Sequence, residues 1–236
     1  MVVSQAMKEK VLSLGAEEEN VHVIPMGVDL KNKFVLADIS RKKRAILFVG
    51  RLVEKKGLKY LIYAFSEIQK KYADASLVIV GKGPEETNIR NQISKYQIES
   101  SVKLLGAVTH ENLHKLYQSH ELAVFPFIED STGDMEGFGL VMVEAMGCGC
   151  AVVASSLPAV ADIIIDNETG LLVNQKDSSD IVKKVSFMFD NSDILKRLSL
   201  QGRRYVEDRF DWSATEKKYS DLFNSIIKYN DTLKMQ

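Results

Sequence analysis

Cysteine is nearly absent from this 236-residue sequence, which holds only Cys148 and Cys150. One residue apart, they are poorly placed to bridge each other, and they lack the spacing of a zinc knuckle. Both read as reduced, small, buried residues of a cytosolic protein. An excess of charge is missing too: 31 Lys+Arg against 32 Asp+Glu give a net −1. No global pull toward nucleic acid follows, and no nucleic-acid partner is expected. No apolar run approaches the ~20 residues that span a bilayer. The N-terminus, MVVSQAMKEK, lacks the apolar stretch of a signal peptide. These absences point to a cytoplasmic protein. One basic run, Lys31 to Arg44 with Arg41, Lys42, Lys43 and Arg44, reads as a solvated linker in preference to a phosphate contact or a peripheral contact at the inner membrane face.

What is present is ordinary for a soluble globular chain: 45% apolar and 27% charged residues. That suffices for a core without a metal or disulfide staple. Apolar runs alternate with amphipathic segments. Strands are expected at Ala45–Val49, Leu77–Val80, Val102–Leu105, Leu122–Phe125, Ala151–Ala154 and Gly170–Val173. Helices are expected at Leu58–Tyr72, from Pro84 to about Tyr96, at His110–Ser119, at Leu140–Met146 closed by Gly147, and at Val160–Ile165. From Asp177 the pattern is helical almost to the end. Continuously apolar strands imply burial on both faces, and intervening helices imply parallel βα units. The expected fold is therefore α/β, a doubly wound, Rossmann-like parallel sheet with ligands at the carboxyl ends of its strands.

Three loops at those ends carry chemistry. In GRLVEKKGL, Arg51 and Lys56 lie between Gly50 and Gly57, near a helix start, which suits an anionic ligand or marks two surface cations. In GKGPEE, Gly81 and Gly83 permit close backbone approach, but neither a Walker loop nor a dinucleotide fingerprint is complete. In EGFGLVMVE, Gly137 and Gly139 flank Phe138 just before a helix, whose free amides make a phosphate site. Glu136 stands ahead of that helix and could engage a hydroxylated ring. Glu144 stands inside it, amid Val, Met and Ala, where a carboxylate needs a partner. Its two oxygens suit a vicinal diol such as ribose. His110–His114, HENLH, formally matches a zinc-peptidase motif. It has no HxxGxxH extension and reads as a solvent-facing turn.

Together these segments resemble the retaining glycosyltransferases of GT-B fold, of the "group 1" or family-four type. The match runs through GRLVEKKG, LVIVGKGPE, VKLLGAVTHENLHKLY, AVFPF, EGFGLVMVEAMGCGCAVVAS, ETGLLV and FDW. The resemblance implies transfer of a hexosyl unit from a nucleoside diphosphate sugar to a glycan, lipid or small acceptor, without metal or other cofactor. Arg51 and Lys56 match the pair at the donor diphosphate, Glu144 the carboxylate on the ribose, and Glu136 the carboxylate at the donor sugar. Gly137, Phe138, Gly139 and Leu140 match the loop whose amides meet sugar and phosphate. Gly83 falls in the matching second loop, and Val108 matches the backbone contact to the base. The catalytic set implied is Glu136, Arg51 and Lys56.

Departures accompany the match. Pro158 and Ala159 stand where Gly-Gly is frequent, Ala161 replaces a common Pro, and Met26 takes the Asn position of IPNGVD. Residues 1–33 resemble the end of an N-terminal domain and its linker, 34–205 the donor-binding domain, and 206–236 the C-terminal crossover helices. The resemblance therefore leaves an acceptor-binding domain to be supplied. The partners expected are the nucleotide-sugar donor and either a separate acceptor-domain subunit or a second copy held through the last helix. A non-catalytic nucleotide-sugar-binding or regulatory module is the alternative, with a zinc peptidase further off.

Overall fold

In a computed structural model, which describes the backbone of residues 1–234 and the side chains of residues 1–227, six parallel strands form one sheet. They are β1 (Lys42–Val49), β2 (Ser76–Val80), β3 (Val102–Gly106), β4 (His120–Phe125), β5 (Ala151–Ser155) and β6 (Leu171–Val173). The helices are α1 (Gln5–Ser13), α2 (Leu58–Lys71), α3 (Glu86–Lys95), α4 (His110–Ser119), α5 (Leu140–Gly147), α6 (Ser178–Asp190), α7 (Ser192–Phe210) and α8 (Trp212–Lys234). Met235 and Gln236, the end of the segment read as crossover helices, lie outside the described residues.

The strand order is β3-β2-β1-β4-β5-β6. The chain winds outward from β1 to β3, then returns to place β4 on the other side of β1. The sheet direction therefore switches between β1 and β4, and the crevice over that pair is where such sheets receive ligands. The strands are apolar throughout because alternate side chains feed two cores. Ile46, Phe48, Leu77, Ile79, Leu122 and Val124 pack toward α2 and α6. Leu47, Val49, Ala123 and Phe125 pack toward α5 with Leu30 and Phe34 of the incoming linker.

Four expectations need correction. Residues 158–163 form turns and 164–165 no regular element, where a helix is expected over 160–165. Val160, Ile163 and Ile164 are buried there as anchors, and so short a run gains too few hydrogen bonds to offset nucleation. The helix after Pro84 begins two residues later, at Glu86, because Pro84 and Glu85 form a turn. Gly149, at φ 76°, takes the left-handed position after α5. Gly147 instead belongs to the last turn, where a side chain would collide with Leu30. The basic run is a solvated linker only in part: Lys31, Lys42 and Lys43 are exposed, the last two within β1. Arg41 donates to the carbonyls of Tyr117, His120 and Cys148. Lys31 pairs with Asp211 at 3.1 Å, and Arg44 with Asp74 at 2.8 Å.

Both cysteines are free and buried. Burial pushes the Cys150 thiol up to about 12 and that of Cys148 higher still, so neither is a thiolate at neutral pH.

Candidate functional site

Backbone bonds join the loops at the carboxyl edge. Gly50 N–H donates to Val80 O at 3.0 Å, Leu52 N–H to Lys82 O at 3.0 Å, and Gly81 N–H to Gly106 O at 2.8 Å. A side chain at Gly81 would overlap the Gly50 carbonyl, and one at Gly83 the Leu52 backbone. The close approach that Gly81 and Gly83 permit is thus of loop to loop. Gly57, left-handed at φ 63°, begins α2 where a side chain would strike the Pro126 carbonyl.

A 3-10 turn, Glu54–Lys56, is fastened to the loop after β4 by three consecutive side chains. Glu54 accepts from the Ser131 hydroxyl at 2.8 Å. Lys55 donates to Asp134 at 2.8 Å. Lys56 pairs with Glu136, the two side chains being only 13% and 14% exposed. The Lys56 ammonium also lies 4.5 Å from the centroid of the Phe127 ring. Arg51 differs: it is exposed, and its guanidinium bonds to no described residue.

Glu136 leads directly to α5. Gly139, at φ 90°, occupies the N-cap position, and no side chain caps the helix. The first amides of α5 therefore stay available beside a paired Lys and Glu, a combination suited to an anion. Phe138 is buried against Phe210, ring centroids 5.7 Å apart, and its amide donates to Glu136 Oε1 at 3.5 Å. The Gly137 carbonyl accepts from the Ser4 hydroxyl at 2.8 Å, which brings α1 to the same loop. Between α1 and that loop a recess of about 440 Å³ opens, with Glu136, Met7 and Pro158 among its walls.

Glu144, 7% exposed, is the buried acid of α5. Burial raises its pKa, and the bonds from Tyr117 and His110 act against that rise. The Tyr117 hydroxyl donates to Oε2 at 3.1 Å, and His110 Nε2 approaches Oε1 at 3.3 Å. This is the partner that the apolar helix demanded, and the motif HENLH supplies half of it. Tyr117 does not stand out in the sequence as a site residue, and His110 does so only through the formal zinc-peptidase match. The signal was Glu144 itself, an acid that had to be answered from elsewhere. Among the described residues no three His, Cys, Asp or Glu side chains gather as metal ligands, so His110 and His114 find no third.

Arg51 and Lys56 thus follow β1, and Glu136, Gly137, Gly139, Leu140 and Glu144 follow β4, the two strands that flank the switch point, with the Lys56–Glu136 pair joining the two segments. Val108, half-buried in the loop after β3, packs on the same core. This is the architecture of the Rossmann-like half of a GT-B protein.

The chain belongs to the glycosyl transferases group 1 family, whose model matches residues 31–205. It is 25% identical over 225 residues to the amylovoran biosynthesis glycosyltransferase AmsK of Erwinia amylovora, covering 95% of this chain and 55% of that protein. It is 30% identical over 207 residues to a phosphatidyl-myo-inositol mannosyltransferase of Mycobacterium leprae, covering 86% and 53%. Among solved structures, Anabaena HepE in complex with UDP-glucose matches with a TM-score of 0.84 at 20% identity, over 95% of this chain and 63% of that one. The chain spans about half the length of the curated relatives it matches. Among the described residues no helix is long and apolar enough to cross a membrane.

Proposed function

We propose that this chain binds a nucleoside diphosphate sugar over the β1–β4 crevice and forms the donor side of a retaining hexosyltransferase acting on a glycan, lipid or small acceptor. The observation that carries this reading is the uncapped start of α5, set between the Lys56–Glu136 pair and the buried Glu144. In this reading the diphosphate lies on the α5 amides with Arg51 and Lys56, the ribose diol donates to Glu144, and Glu136 meets the donor sugar. Val108 offers backbone to the base.

During transfer the bond from C1 to the diphosphate breaks. The acceptor hydroxyl oxygen bonds C1 on the same face, and its proton leaves with the diphosphate. Arg51 and Lys56, rather than a metal, offset the charge that develops on the leaving group. An acceptor-binding domain completes the cleft, excludes water and covers the apolar face of α8, where Phe223 and Ile227 are more than half exposed.

Calorimetric titration with UDP-, GDP- and ADP-glucose tests the reading. One of the three binds the parent, and Arg51→Ala and Glu144→Ala each weaken it about tenfold or more. No binding by any, or two variants that bind like the parent, overturns it.

A further inference from the structure

His110 is engaged on both ring nitrogens. Lys33, in the linker, lies 2.6 Å from Nδ1, and Glu144 lies 3.3 Å from Nε2. A lysine ammonium has donors and no acceptor, so Nδ1 must accept. The ring is then neutral with its hydrogen on Nε2, directed at Oε1 of Glu144. Phe34 packs edge-on against the ring, centroids 5.2 Å apart, and against Tyr117 at 6.2 Å. Tyr117 donates to the other oxygen, Oε2, at 3.1 Å. Each oxygen of Glu144 therefore has one protein donor and keeps acceptor capacity for one more.

The exposures add direction. The His110 side chain is 60% exposed and that of Glu144 only 9%, so the imidazole borders the side from which a diol must reach the carboxylate. We propose that His110 is a positioning residue. With Lys33 fixing its tautomer, it holds Glu144 in the rotamer and charge state that accept two hydroxyls, and so makes the site select ribose over 2′-deoxyribose. This rests on the reading that Glu144 meets the ribose. Lys33, His110, Glu144 and Tyr117 act as one chain from the linker to α5. The HENLH sequence thereby acquires a use unrelated to metal.

The test measures binding of UDP, GDP and ADP, and of their 2′-deoxy forms, to the parent chain and four variants. The parent favours the ribose form by about tenfold, the loss expected when a hydrogen bond to a charged group is removed. His110→Ala weakens the ribose form by about the same factor, leaves the deoxy form unchanged and flattens the preference. His110→Gln, whose amide can accept from Lys33 and donate to Glu144, restores most of it. Lys33→Met, which frees the ring to turn over, moves the preference the same way by about threefold; with His110→Gln it carries the test if the alanine variant fails to fold. A His110→Ala chain that keeps the parent's preference, or loses both forms equally, overturns the proposal. If Glu144→Gln flattens the preference and His110→Ala does not, only the role of His110 falls. If Glu144→Gln also keeps the preference, the ribose reading falls with it.

Discussion

The two ends of α5 make opposite use of cations. At its carboxyl end, Arg203 donates to Gly147 O, and also to Phe34 O and Leu30 O at 2.6 Å each. Arg41 donates to Cys148 O, the next carbonyl. These guanidiniums satisfy the orphan carbonyls and the negative pole of the helix, and they tie the linker to it. At the amino end the polarity reverses. Among the described residues no side chain caps the amides, Lys56 is held to Glu136, and Arg51 has no partner. One short helix thus has a closed structural end and an open end fitted for an anion. The lesson is that a cation's role depends on which backbone groups it meets. A second recess of about 410 Å³, at the amino end of the sheet, makes the same point. Arg41 and Arg44 line it, and both are already committed to carbonyls or to Asp74.

Four measurements would break or sharpen this contrast. The largest effect is expected from Arg203→Met. It strands three carbonyls next to a buried helix end and should cost about 3–5 kcal/mol in urea unfolding. A loss below about 1 kcal/mol would remove the closed end from the argument.

Arg51→Ala should behave in the opposite way. Unfolding stays within about 0.5 kcal/mol of the parent, while nucleotide affinity falls about 10- to 100-fold, the value of a hydrogen bond to a charged group. Equal effects on both quantities would place Arg51 in the fold rather than the site.

Glu144→Gln separates stability from binding. The folded-state pKa of Glu144 is raised by burial. Such a group contributes stability below its unfolded pKa and loses it as pH rises through the folded value. At pH 7 the buried charge is therefore a cost, and the ligand-free Gln variant should be more stable by on the order of 1 kcal/mol. Near pH 4 the gain should vanish, because the parent is already protonated. Urea titrations at the two pH values check it, and a variant equally destabilised at both would refute it. The same raised pKa predicts that nucleotide affinity of the parent weakens on acidification before an exposed carboxylate would titrate.

The smallest effect belongs to Asp74→Ala. Its partner Arg44 is 38% exposed and Asp74 is 60% exposed. Loss of this solvent-screened pair should shift unfolding by no more than about 0.5 kcal/mol.

The strands at Ala45–Val49, Leu77–Val80, Val102–Leu105, Leu122–Phe125 and Ala151–Ala154 were legible because burial on both faces leaves uninterrupted apolar runs. α2 was legible because one face alone is buried. The turns at 158–163 were not, since a short apolar run carries no mark of whether it is wound or merely anchored. In the site, Arg51 and Lys56 could be picked out as cations after a strand, and Glu136 and Glu144 as acids ahead of and inside a helix. That Glu144 needed a partner was also readable. The identity of that partner was not, because His110 lies 34 positions away and meets Glu144 only after α4 and α5 pack side by side. Arg41 was misread for the same reason: a basic run shows its charges but not the carbonyls that will receive them.

The most direct test of the account is a crystal structure of the chain with UDP-glucose, or with whichever nucleotide glucose binds in calorimetry. The account predicts the diphosphate on the first amides of α5 beside Arg51 and Lys56, with both ribose hydroxyls within hydrogen-bond distance of Glu144. A nucleotide bound elsewhere, or a ribose turned away from Glu144, would contradict it.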